Sequence, residues 1–368
     1  GGKNMKRFVA AALLIVSAIC LAAFAGCNEE QAHEHEWNAG VVTRAATYTH
    51  EGETTFTCKR CGGTRSEEIE LLGYTADKPV NAGESISCAV ASAEEGVFIA
   101  VKAGTYHEQL IVDGKNVTII GEGAVIVAGP EDYAALRIVE KPGTDEKNYA
   151  ALVLVQNSTA VLENISVTGN PDKANIAHLT SDNSYCGVAA IDSELRLDYV
   201  NVKDVTYPER PSGIQNGTGV FAAAKEENKK LTVRYSEISS FNKTGLVVRE
   251  GVSELIFEGN TVTGAGAQAR NCQNGIQIAC PKASITGNTV KNLVYEKDDE
   301  WVHASWALLV YSEGEKSVQV SANTFSNVDN GVYIVVNGST QLGENKYENL
   351  YEEGYSNYET PAEGEEQQ

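Results

Sequence analysis

The sequence predicts an all-β solenoid, a long stack of similar rungs made of short strands and tight turns. Three observations carry this. Glycine is abundant, 34 of 368 residues, while methionine occurs once and proline 8 times. That composition suits many short strands and turns better than a helical bundle. Between about Val90 and Leu350 one pattern recurs: a Gly or Ala, an alternating apolar strand, then a second strand with a polar marker. The self-similarity falls on strands, with their period of two, rather than on helices.

The charge balance narrows the function classes. With 29 basic and 50 acidic residues the net charge is −21, so a general electrostatic attraction to nucleic acid or anionic lipid is excluded. The chain is long enough to bury a sizeable core without disulfides.

Residues 1–26 read as a secretory signal. Met5-Lys6-Arg7 is positive, Phe8 to Ala25 is apolar apart from Ser17 and Cys20, and Gly26-Cys27 follows. The run is at the short end for spanning a bilayer, which favours cleavage over a retained anchor. Phe24-Ala25-Gly26-Cys27 resembles the lipobox of bacterial lipoproteins, with Phe24 where Leu is usual. The resemblance implies cleavage before Cys27 and lipidation of that cysteine, giving stable membrane anchoring outside the cytoplasm. Loss of Lys3, Lys6 and Arg7 takes the mature charge to −24.

Residues 27–72 hold a tether and a small Cys/His module. Alternating Thr and aromatic residues around Gly52 suggest a hairpin, and Cys58-x-x-Cys61-Gly is a zinc-knuckle half-site that points two thiolates at one centre. His35 and His50 are the best candidates to complete a tetrahedral zinc. A Cys58–Cys61 disulfide, or two free thiols in an exported spacer, is the open alternative. The segment is similar to short Cys/His repeats on surface proteins of anaerobic Gram-positive bacteria, which usually carry a further Cys where Tyr48 stands.

Residues 73–350 form the solenoid. Rung starts are expected at Ala151, Gly187, Gly219, Gly245, Gly275, Ala307 and Gly331, and markers at Asn164, Asn201, Ser236, Asn260, Asn288, Asn323 and Asn345. Start-to-marker separations are nearly constant, 13 to 17 residues, whereas marker-to-next-start separations vary from 8 to 23. Rungs stacked about 4.7–4.9 Å apart bring the markers into an internal amide ladder, a structural rather than catalytic role. Alternation puts Val153, Ala189, Phe221, Val247, Gln277, Leu309 and Tyr333 on the outer face in one column. A second column holds Val155, Ile191, Ala223, Arg249, Ala279, Tyr311 and Val335.

Here the chain resembles the right-handed parallel β-helix, or pectin-lyase-like, proteins, over about residues 80–350. The stretches Ser85-Ile-Ser-Cys-Ala-Val-Ala-Ser-Ala, Lys102-Ala-Gly-Thr-Tyr-His-Glu108 and Asn116-Val-Thr-Ile-Ile-Gly carry the likeness. It implies an N-terminal capping helix over the first rung. Enzymes of this fold are polysaccharide lyases, polygalacturonases and pectin methylesterases, with their chemistry on the outer face of the Gly/Ala-led strand. That face lacks the paired carboxylates of glycoside hydrolysis and the Asn-Thr-Asp, Gly-His-Gly, Gln-Asp-Thr-Leu and Asp-Phe-Ile-Phe-Gly elements.

The leading expectation is therefore a lipid-anchored, monomeric surface protein that binds extracellular polysaccharide or a surface protein without turnover. Its ligand would lie on Arg249, Gln277, Trp301, Trp306, Tyr311 and Tyr333. The competing expectation is a polysaccharide lyase or glycosidase using Arg249, Asp298, Asp299 and His303 for acid–base work; a structural adhesin or spacer is the third. Zinc in the N-terminal module is the cofactor expected. Cys88, Cys186, Cys272 and Cys280 are expected by default as buried free thiols, with a Cys272–Cys280 disulfide as the alternative, and residues 351–368, with six Glu and no basic residue after Tyr351, as an acidic disordered tail.

Overall fold

The structure is a computed structural model. It describes residues 34–140, 148–174, 183–208, 216–226, 228–269, 271–296, 304–312, 317–336 and 339–350. The leader with Cys27, the loop residues Asp298, Asp299, Trp301 and His303, and the acidic tail lie outside them. Among the described residues no helix is long and apolar enough to cross a membrane.

Each rung contributes three strands. In a central rung these are Glu194–Asp198, Asn201–Lys203 and Thr218–Ala223, and the next rung repeats them as Lys229–Arg234, Glu237–Ser239 and Thr244–Val248. Equivalent strands pair in parallel: Leu195↔Leu231, Val202↔Ile238 and Val220↔Leu246. Every second residue turns inward, so Val188, Val220, Leu246, Ile276 and Leu308 line up as one column of a continuous apolar core. The glycines that lead the third strands are needed for close approach. A Cβ on Gly219 would sit 2.6 Å from the carbonyl oxygen of Gly245, and one on Gly245 would sit 2.7 Å from that of Gly275.

The bend between first and second strands needs a left-handed residue in each rung. Asn164, Tyr199, Tyr235, Gly259, Gly287 and Ala322 supply it with φ from 52° to 68°. The next position is the polar ladder. Asn260, Asn288 and Asn323 each donate Nδ2 to the Oδ1 of the following Asn, at 3.1, 2.9 and 2.9 Å, ending on Asn345. Each Oδ1 also accepts a backbone N–H, from Ser236, Asn260, Asn288 and Asn323 in turn. These bonds satisfy amide groups that burial would otherwise leave costly.

The ladder is shorter than the sequence suggested. Backbone pairing puts Ile165 and Val200 in this column, so Asn164 is the left-handed turn residue and Asn201 lies one place beyond. The first rungs are therefore apolar where Asn was expected. The expected start at Ala151 is also early by one: Ala151 pairs with Cys186, and Leu152 stands opposite Gly187.

The capping helix spans Ile86–Ala91, burying Ile86 and Val90 over the open first rung. Glu108 anchors it, accepting from Ser85 Oγ at 2.7 Å, Ile86 N at 2.6 Å and Ser87 N at 3.2 Å. The Tyr-His-Glu stretch thus ends in the carboxylate that holds the cap.

The N-terminal module is a three-stranded antiparallel sheet of Val41–Arg44, Gly52–Thr57 and Thr64–Ile69. It docks on the solenoid. The fully buried Glu163 accepts from Thr49 N and Thr49 Oγ1, both at 2.6 Å, and from Tyr48 N at 3.3 Å. Tyr48 packs edge-on against Tyr74 and Phe98. His50 stacks on Tyr199 with centroids 3.5 Å apart.

Candidate functional site

The outer face of the glycine-led sheet divides along its length. Register aligns Ala189, Phe221, Val247, Gln277, Leu309 and Tyr333 as one outward column. In the rung before Ala189 the outward residue is Leu154; Val153 and Val155, expected outside, point into the core.

Over the N-terminal rungs this face is covered. Tyr149, Ala151, Leu154, Cys186, Ala189, Ile191, Phe221 and Ala223 form a second buried cluster outside the solenoid core. The antiparallel strand Ile138–Val139 lies along its edge, and Tyr149 stacks on Phe221 at 3.9 Å.

Where the cover stops, a groove of about 440 Å³ opens. Its floor is Val247 and Ala279, its covered end Tyr149 and Phe221, and its polar wall Lys243, Thr244, Arg249, Glu250, Gln277 and Tyr311. Thr244 Oγ1 donates to Gln277 Oε1 at 2.9 Å, which fixes the orientation of the amide. Tyr311 is 44% exposed, and burial of its hydroxyl end raises its pKa above the ordinary tyrosine value. Lys243 donates its Nζ to the Cys272 carbonyl at 2.5 Å. Burial pushes the Lys243 pKa below that of an exposed lysine, because an ammonium is disfavoured away from water.

The sequence-derived site is thus brought together in part. Arg249, Gln277 and Tyr311 line the groove. Trp306 and Tyr333 lie on the same face as a tilted pair with centroids 5.0 Å apart, and Trp306 N donates to Asn274 Oδ1 at 3.2 Å. Trp301, Asp298, Asp299 and His303 lie outside the described residues. Lys243, Tyr149 and Thr244 were missed. Lys243 and Thr244 stand just before the rung-leading glycine, a position the alternation count did not reach.

Of the four expected metal ligands, His35, Cys58 and Cys61 converge, their donor atoms lying within 4.8 Å of one another. His50 is elsewhere, on the solenoid against Tyr199, because its loop is the one that reaches Glu163. None of the six described cysteines is joined in a disulfide, and Cys88 is exposed.

Residues 151–349 match the protein family described as right handed beta helix region, more than half of the chain. No curated protein matches the chain. Among solved structures, one neighbour is a mutant pectin methylesterase in complex with a hexasaccharide: 11% identity, TM-score 0.32, 69% of this chain and 80% of the other covered. Another is a family 28 exopolygalacturonase from Yersinia enterocolitica: 11% identity, TM-score 0.35, 81% and 83% covered.

Proposed function

From the premise that this chain belongs to the right-handed β-helix family, we propose that it is a lipid-anchored surface protein that binds extracellular glycan in the groove beside Arg249. The single observation that carries this is the groove itself. It combines an oriented amide and a tyrosine hydroxyl with two cationic side chains and one carboxylate, Glu250, with the Trp306–Tyr333 pair on the same face of the sheet, on a protein whose overall charge is strongly negative. Aromatic faces stack on sugar rings, amides and hydroxyls bond their hydroxyls, and Lys243 with Arg249 favours sugars bearing carboxylate or sulfate. The lipidated Cys27 would hold this face outside the cell.

The second reading is polysaccharide cleavage. It is favoured by Lys243, whose lowered pKa leaves more of its amine neutral at a given pH than in an ordinary lysine, so that more of it is available as a general base. Titrating acidic and neutral oligosaccharides into the protein tests both readings, with reducing ends and unsaturated products followed in the same samples. Saturable binding of acidic sugars without product supports the binding role. Product formation lost in Lys243→Met supports cleavage, and silence in every arm removes both. Incorporation of labelled palmitate, abolished by Cys27→Ala, tests the anchor.

A further inference from the structure

We infer that His35, Cys58 and Cys61 form a binding site for a soft divalent cation of the zinc type, and that this ion serves as the core of the N-terminal module.

The donor geometry fits. A zinc ion with ordinary bond lengths of about 2.3 Å to sulfur and about 2.0 Å to nitrogen keeps neighbouring S and N donors about 3.5 Å apart in a tetrahedral shell. His35 Nδ1 and Cys61 Sγ are 3.6 Å apart. The backbone around the two cysteines is a closed knuckle. Cys58 N donates to Gly63 O at 2.8 Å, Gly62 N to Cys58 O at 2.9 Å, and Gly63 N to Cys61 Sγ at 3.4 Å. That last bond is of the kind a thiolate ligand accepts. Gly62 has φ +72°, which the tight turn between the cysteines requires.

His35 is held to the knuckle rather than brushing past it. Trp37 bridges Cys58, Lys59 N donates to Glu36 O at 2.8 Å, and His35 stacks on Trp37 with centroids 5.0 Å apart. Two sulfurs and an imidazole nitrogen select zinc-like cations over calcium or magnesium, which take oxygen. These three protein donors leave one position of a tetrahedral shell open.

A second, independent observation is the module's missing core. Every residue of Val41–Arg44 is exposed, as are all but one of Thr64–Ile69. Val41 and Val42 are 61% and 57% exposed. A unit of this size without an apolar centre needs another source of order, and a structural metal is one of the few available. Cys58, 2% exposed at the base of the knuckle, is where such an ion would sit.

The test uses the full chain, purified with its thiols reduced and loaded with cobalt(II) alone as the probe. One tightly bound cobalt per chain is expected, with tetrahedral visible bands and a thiolate charge-transfer band, both displaced by added zinc. His35→Ala and Cys61→Ser, at exposed positions, should weaken cobalt binding by more than about tenfold while leaving the β circular dichroism unchanged. His50→Ala and Cys88→Ser should bind as the parent does. Absence of the charge-transfer band would overturn the inference. So would an unaltered spectrum in Cys61→Ser, or a loss in His50→Ala as large as that in His35→Ala.

Discussion

The two halves of the glycine-led sheet use the same backbone positions for opposite ends. In the N-terminal half the outward column is Leu154, Ala189 and Phe221, sealed under Tyr149 and the strand Ile138–Val139. In the C-terminal half it continues as Val247 and Gln277, flanked by Arg249 and Tyr311, and forms an open groove. The rungs, register and spacing do not change; the side chains and their cover do. The difference teaches that in this solenoid the fold sets where a site can be, while the end of the apolar cover decides where it is.

Breaking the covered half should have the largest effect. Phe221→Ala removes a ring that is 1% exposed and stacked on Tyr149, and should cost about 3–5 kcal/mol of stability, read from urea midpoints. The ladder inside the stack comes next. Asn288→Ala deprives the Phe257 carbonyl of its donor and the Asn260 amide of its acceptor. About 2–3 kcal/mol should be lost by the same measurement, since buried groups left unpaired each cost about 1–3 kcal/mol.

The open half should respond the other way. Arg249→Ala and Tyr311→Phe should reduce binding of acidic oligosaccharide at least about tenfold, in calorimetric titration, while stability stays within about 0.5 kcal/mol.

The smallest expected effect is a pH slope. Because the Lys243 pKa is lowered by burial, between that value and the ordinary lysine value the unfolded chain holds a proton that the folded chain does not. Stability should therefore rise with pH across that window through this group, and the rise should be absent from Lys243→Met when the two urea midpoints are compared.

The solenoid was legible in the sequence because its signal is repeated in every rung. Glycine marks a close backbone approach, alternation marks the inward column, and the repeat averages over local exceptions. The same averaging explains the errors. Asn164 and Asn201 flank the ladder column without occupying it, because asparagine serves equally as a left-handed turn residue and as a ladder amide. Only the pairing to neighbouring rungs separates the two uses, and pairing is not written in one rung's sequence. Half of the candidate site was legible for the same reason: Gln277, Arg249 and Tyr311 follow from the alternation. Lys243 precedes the glycine, where the alternation breaks, so no period pointed to it. The His50 assignment failed on a different ground. Spacing alone could not reveal that its loop is drawn to the buried Glu163, 113 residues further along the chain.

Hydroxyl-radical footprinting tests the central claim, that the binding face is the open half of this sheet and not the covered one. Tyr149 is 4% exposed and Tyr311 44%, so in the free protein Tyr311 should be oxidised and Tyr149 spared. Adding a saturating acidic oligosaccharide should protect Tyr311 and leave Phe221 and Tyr149 as they were. Oxidation of Tyr149 comparable to that of Tyr311 in the free protein, or saturable binding with Tyr311 unprotected, would contradict the account.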